Sequence, residues 1–184
     1  MLVLHFDYVS AASAVAVLRL QRLADRGGDV AFSGVDVLGV DAALPATLDQ
    51  LAELEVWAPR AADLGLVLRR PATRPPTLGA HLVGELATAH DLGAAWRAAV
   101  LEAYWSRGAA IDDAEVLVGL GREVGLPAEE VRARLEDPEQ RVGLRRAMTG
   151  HRGRGVGGVP MLEVDGTFVS ADLADADLEA LAGL

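Results

Sequence analysis

The side chains that do chemistry in proteins are unevenly represented in this chain of 184 residues, which has no cysteine at all. It can therefore form no disulfide, hold no thiolate-bound metal and run no thiol chemistry of its own. The histidines His5, His81, His90 and His151 show no metal-ligand spacing, so no metal site is expected. His81 and His90 fall on helical segments, where a surface or hydrogen-bonded structural role is expected. His5 is the histidine to watch, because it stands two residues before Asp7 on an extended segment and so shares a face with it. Asp7 is expected either to be buried near the start of the next helix or simply to end the strand. Gly153, Gly155 and Gly158 match G-x-G-x-x-G, but a helix-like segment precedes them and Pro160 with a strand comes after. That is the reverse of the dinucleotide-binding context, and no such site is expected. Trp57, Trp96 and Trp105 suit core or interface positions, and Trp105 is placed to line a pocket beside the helical part of the chain.

The stretch Gly157-Gly158-Val159-Pro160-Met161-Leu162-Glu163-Val164-Asp165-Gly166 reads as a tight turn, an X-Pro bond, a short strand and a hairpin turn. Its paired glycines are expected to supply positive φ. Val159-Pro160 at the mouth of a strand suggests a cis peptide, which for proline costs only about 0.5–1 kcal/mol over trans. The backbone of Val159 would then face whatever lies across from it. The alternative is an ordinary proline as the first residue of a strand.

The elements that must position these residues emerge from periodicity. Leu2 to Tyr8 is nearly continuous in apolar character, as a strand buried on both faces would be. Ser10 or Ser13 can cap a helix over Ala14 to Arg26, which Gly27-Gly28 stops. Val30 to Leu38 reads as a second strand, parallel to the first through a right-handed crossover. From Thr47 to Thr149 the pattern is helical, interrupted by Pro59, by Pro71 to Pro76 and by Pro127. Ala87 to Arg107 carries one wide apolar stripe through Leu92, Trp96, Val100 and Tyr104. Asp112-Asp113-Ala114-Glu115 reads as a capping box, and Asp137-Pro138 opens a last helix of the insert. Beyond Gly150 strands are expected at Met161–Val164 and Thr167–Ser170, with a closing helix at Asp175–Leu181. Residues 1–46 and 150–184 thus form one discontinuous unit, and 47–149 a helical insertion.

Composition narrows the function classes. A formal charge of -10 and a pI near 4.8 disfavour binding to a phosphate backbone, so no nucleic-acid partner is expected. The longest uncharged stretch, Tyr8 to Leu18, is far below the ~20 residues needed to span a bilayer. Met1 to Phe6 lacks the basic residues of a signal peptide. The expectation is a cytoplasmic protein with no membrane partner.

In this order of elements, a βαβ unit, helices, a hairpin behind a Gly-Val-Pro turn and a final helix, the chain resembles the DsbA-like family. That resemblance implies an α/β fold, a thioredoxin-like domain with an inserted all-helical domain. Within the family it resembles the cytoplasmic branch of FrnE-type proteins and 2-hydroxychromene-2-carboxylate isomerases. Phe6-Asp7-Tyr8-Val9-Ser10-Ala11-Ala12-Ser13 stands where the family carries its active-site motif. Pro75-Pro76-Thr77-Leu78-Gly79-Ala80-His81 resembles the segment opening the helical domain. Ala103-Tyr104-Trp105-Ser106-Arg107-Gly108 with Ile111-Asp112-Asp113 resembles a helix junction, and Gly155 to Pro160 the cis-proline turn.

The departures bear on function. Disulfide-exchanging members carry Cys-x-x-Cys at the first helix N-terminus, and here those positions are Ser10 and Ser13 with Ala11-Ala12 between. A serine hydroxyl cannot cycle through a disulfide, so the resemblance implies a redox-inactive protein. Such a protein would bind a thiol, glutathione or an extended peptide between Ser10 and Val159-Pro160. The isomerases resemble this chain in having serine at position 10, which implies a second reading: a glutathione-dependent isomerase with Ser10 as its tentative catalytic residue. Ser13, Val159, Pro160 and Asp172 complete the ligand-binding set so implied, with His5, Asp7 and Trp105 as pocket residues. Only Asp172 remains of the isomerases' Gly-x-Asp-Arg, so the arginine that would anchor a carboxylate is missing. Ser10 also has the plainer reading of a helix cap, worth about 1 kcal/mol. A structural or dimerisation role, with a second copy of the chain as partner, is the third reading.

Overall fold

A computed structural model describes residues 1–184, apart from the side chain of Arg152. The chain opens with β1 (Leu2–Phe6), α1 (Ala11–Asp25) and β2 (Val30–Gly34). Next come the helices α2 (Leu48–Asp63), α3 (Leu78–Ala89), α4 (Gly93–Leu101), α5 (Ala114–Val124), α6 (Ala128–Glu136) and α7 (Pro138–Arg154). A π-helical turn, Glu102–Ser106, continues α4, and β3 (Met161–Val164), β4 (Thr167–Ser170) and α8 (Asp175–Leu181) close the chain. The strands form one sheet in the order β2-β1-β3-β4. β1 runs parallel to β2, with Leu4 opposite Phe32, and antiparallel to β3, with Leu4 opposite Leu162. This is the α/β arrangement expected, with β1 at the centre because Leu2, Leu4, His5 and Phe6 are all buried there.

α1 begins earlier than the apolar period alone suggests. Ser10 adopts extended dihedrals and its side chain accepts from the Ser13 amide, so the helix starts at Ala11 rather than Ala14. β1 and β2 are both shorter at their C-terminal ends than expected, because Asp7 and Asp36 leave the ladder to accept backbone N–H bonds from Val37, Leu38 and Gly39. The stripe from Ala87 to Arg107 is divided among three pieces. Asp91 takes a left-handed φ of 59° behind α3, and the chain re-enters helix at Gly93. Pro59 does not interrupt but lies inside α2, and α7 runs through Gly150 and Gly153. Asp113 caps α5 by accepting from the amides of Glu115 and Val116. At the Val159 turn the left-handed glycine is Gly155 (φ 116°), not Gly157 or Gly158, while Asp165 (φ 48°) and Gly166 (φ 79°) make the hairpin as expected.

One hydrophobic cluster runs from Leu2, Leu4 and Leu20 through Trp96 and Tyr104 to Leu117 and Val131. The sheet, α1 and the middle helices therefore share a core. No helix among the described residues is long and apolar enough to cross a membrane.

Candidate functional site

The site is built at the N-terminal end of α1. Ser10 is buried, and its Oγ accepts from the Ser13 amide at 3.1 Å while donating to Glu53 Oε1 at 3.3 Å. The Ala12 amide donates to the same Glu53 oxygen at 3.3 Å. A helix N-terminus concentrates unpaired N–H groups and positive potential, and a carboxylate there contributes about 0.3–1 kcal/mol. In this fold α2 supplies that carboxylate. Ser13, fully buried, accepts the Asp7 amide through its Oγ at 3.3 Å.

Beneath the turn lies a second polar layer. Asp7 Oδ2 accepts the Val37 amide at 2.8 Å, and Oδ1 stands 3.6 Å from His81 Nε2. Both residues are buried, and the His81 ring stacks on Tyr8 at 4.7 Å. Burial pushes the Tyr8 phenol well above its ordinary value. Gly34 makes room for the imidazole, since a Cβ there would stand 2.2 Å from His81 Nδ1. His81 is therefore a buried structural partner of Asp7 rather than a surface histidine.

His5 and Asp7 are not brought together. His5 Nε2 hydrogen-bonds Glu163 Oε2 at 2.9 Å, and its ring lies 4.8 Å from that of His151. The bond from His5 holds the Glu163 carboxyl below its usual range. Burial first, then His5 and Arg154, hold the His151 imidazole below its own. Among the described residues no group of three or more His, Cys, Asp or Glu is arranged to hold a metal ion.

Across from α1, the Val159-Pro160 peptide is cis. Val159 is half-buried, and neither its amide nor its carbonyl takes part in a hydrogen bond within the described residues. A groove of about 100 Å³ opens beside it, lined among others by Ala12, Arg19, Trp57, Pro160 and Asp172. Asp172 is exposed and pairs with Arg60 at 2.8 Å, while the Arg60 guanidinium lies 4.8 Å over the Trp57 ring. Asp172 is thus paired with an arginine from α2 rather than with one beside it in sequence.

Trp105 is buried and donates its indole N–H to the Tyr8 carbonyl at 2.9 Å. The space it lines with Ala11, Glu53 and Leu54 measures only about 10 Å³, so it fixes the turn rather than shaping a ligand pocket. Of the expected ligand set, Pro160 and Asp172 line the groove beside α1, with Val159 adjoining Pro160 in the chain, whereas Ser10 and Ser13 are taken up by contacts to Glu53 and Asp7 at the α1 N-terminus. His5, Asp7 and Trp105 are not among its lining residues. Sequence reasoning does not single out Glu53, Trp57 and Arg60 for this site. Only the i, i+4, i+7 spacing of these residues on one helix face signals them, and nothing local says which face meets α1. With no cysteine, the α1 N-terminus offers no thiol for disulfide exchange, and the Ser10 hydroxyl donates its hydrogen to Glu53.

The family model for the DSBA-like thioredoxin domain matches residues 1–182. Among solved structures, a probable DsbA oxidoreductase from Streptomyces coelicolor superposes with a TM-score of 0.82 at 25% identity, over 99% of this chain and 88% of that one. A 2-hydroxychromene-2-carboxylate isomerase gives 0.77 at 21% identity over 99% and 92%. The cytosolic disulfide reductase DsbM from Pseudomonas aeruginosa, solved with GSH, gives 0.68 at 21% identity over 100% and 99%. Comparison with curated protein sequences returns no match. The chain belongs to the DSBA-like thioredoxin-domain family.

Proposed function

For a member of that family without cysteine, we propose a non-redox binding role, in the FrnE-like and isomerase-like branch, with an extended peptide held along the Val159-Pro160 turn. The observation that carries this reading is the Val159 amide and carbonyl left without partners among the described residues, beside a groove walled by Trp57, Arg19 and Asp172. Such a backbone edge pairs with an extended chain by strand addition, and the groove then selects a side chain. Glutathione is the smaller ligand of the same class. Its thiolate would meet Glu53 at the helix N-terminus, which favours a peptide without an anion at that point. The isomerase reading asks Ser10 to hold that thiolate, and Ser10 already donates to Glu53.

Titration of ¹⁵N-labelled protein with a short extended peptide, with reduced glutathione and with S-methylglutathione tests the reading. The peptide should shift the Val159 amide and the Trp57 indole saturably, and Trp57→Ala should weaken it about tenfold, or ~1.4 kcal/mol. Absence of a saturable shift at Val159 with every ligand up to about 10 mM, a binding energy weaker than ~3 kcal/mol, overturns it.

A further inference from the structure

We propose that the cleft between α1 and α8 is a separate binding site for a zwitterionic ligand, the charged ends of an α-amino acid or short peptide. Its volume is about 480 Å³, against about 100 Å³ for the groove at Pro160, and lies in the range of small-molecule sites. The floor is apolar, with Val15, Leu23, Leu64 and Leu178, and the rim is charged.

The rim carries four arginines and four acids, so its formal charges cancel. Three of the arginines are already engaged. Arg19 donates to Asp175 and, at 2.6 Å, to the Leu173 carbonyl; Arg26 pairs with Glu179; Arg60 pairs with Asp172. Arg22 differs, with a single bond of 3.3 Å to the Leu64 carbonyl. Asp63 differs in the same way, having no ion pair or hydrogen bond from its carboxylate among the described residues. Asp63 is also the last residue of α2, where the helix dipole favours a cation.

These features select a ligand class. A polyanion would find three of the four cations neutralised. A neutral apolar ligand would cover Arg22 and Asp63 without giving either a partner, which is costly. A zwitterion offers a carboxylate to the guanidinium fork of Arg22 and an ammonium to Asp63, and lays its apolar body on the floor. Val15, Arg19 and Asp172 line both cleft and groove, but binding in the cleft does not require a peptide at Val159.

The test is an NMR titration of the full chain with the dipeptide leucyl-leucine, its N-acetyl form and its C-terminal amide. The dipeptide should shift the Arg22, Leu23 and Leu64 amides saturably while leaving Val159 in place. Acetylation and amidation should each weaken it about tenfold, as expected for an unpaired charged group. Arg22→Ala should abolish the sensitivity to amidation, and Asp63→Asn the sensitivity to acetylation. Both residues are exposed, so folding should be unaffected. Equal affinity of all three probes, unchanged binding in both variants, or no saturable shift at these amides up to about 10 mM would overturn the proposal.

Discussion

Helices α1 and α2 lie side by side across the same groove and are held in opposite ways. α1 buries nine residues, including Val15, Val17, Leu20 and Leu23, and is fixed by the core. α2 is one residue longer and buries only Leu54 and Ala61. It is fastened instead by Glu53 on the α1 N-terminus and by Arg60 on Asp172. One wall of the groove is therefore part of the fold, while the other is laid on by polar contacts that a ligand can replace. Elements of that second kind sit at the low end of local stability, where binding regions are found.

The largest effects should come from attacking the rigid side. Asp7→Ala leaves His81 buried without its acid and frees the Val37 amide. It should lower unfolding stability by about 3 kcal/mol in urea denaturation. Leu20→Ala should cost a similar amount, about 3 kcal/mol, by opening a cavity under α1. A loss below about 1 kcal/mol in both would deny α1 its role as the fixed wall. Glu53→Gln removes the charge from the α1 N-terminus and should cost only about 0.5–1 kcal/mol. It should also raise glutathione affinity, read by calorimetry, because the thiolate no longer meets a carboxylate. Arg60→Ala, at an exposed pair, should change stability by less than about 1 kcal/mol yet speed hydrogen exchange in α2 and not in α1.

The smallest effect arises away from both walls, where β1, β3 and α7 meet. His151 and Glu163 are both held below their ordinary values of 6.5 and 4.5, so the folded state binds fewer protons than the unfolded one. Their contribution is present above those values and is lost as pH falls through the lower folded ones. The urea midpoint should therefore decline on acidification, first from His151 below about pH 6.5 and then from Glu163 below about pH 4.5. His151→Gln should flatten the first part of that decline and Glu163→Gln the second, while the α1–α2 contacts stay as they are.

Much of the rigid wall is legible in the chain itself. The apolar run at Leu2, the serines before Ala14, the Asp165-Gly166 turn and the caps of the middle helices are local signals, and the elements form within a few residues of them. Where the strand ends differ, a carboxylate decides: Asp7 takes the Val37 amide from another segment, and Asp36 turns locally onto the Leu38 and Gly39 amides that a longer strand would have used. The polar wall is not legible. Glu53 is 43 residues from Ser10 and Arg60 is 112 from Asp172, and no spacing rule connects them. Between the surface and the structural role open to His81 the sequence does not choose, because its burial depends on the missing side chain of Gly34, in another segment.

If the groove between these two walls receives an extended chain on the Val159 backbone, amide hydrogen exchange with and without a bound extended peptide must register it there. Protection should emerge at Val159 and change along α2 from Glu53 to Arg60, while α1 and the sheet keep the rates of the free protein. Unchanged exchange at Val159 under saturating peptide, or a change confined to surfaces away from α2, would contradict it.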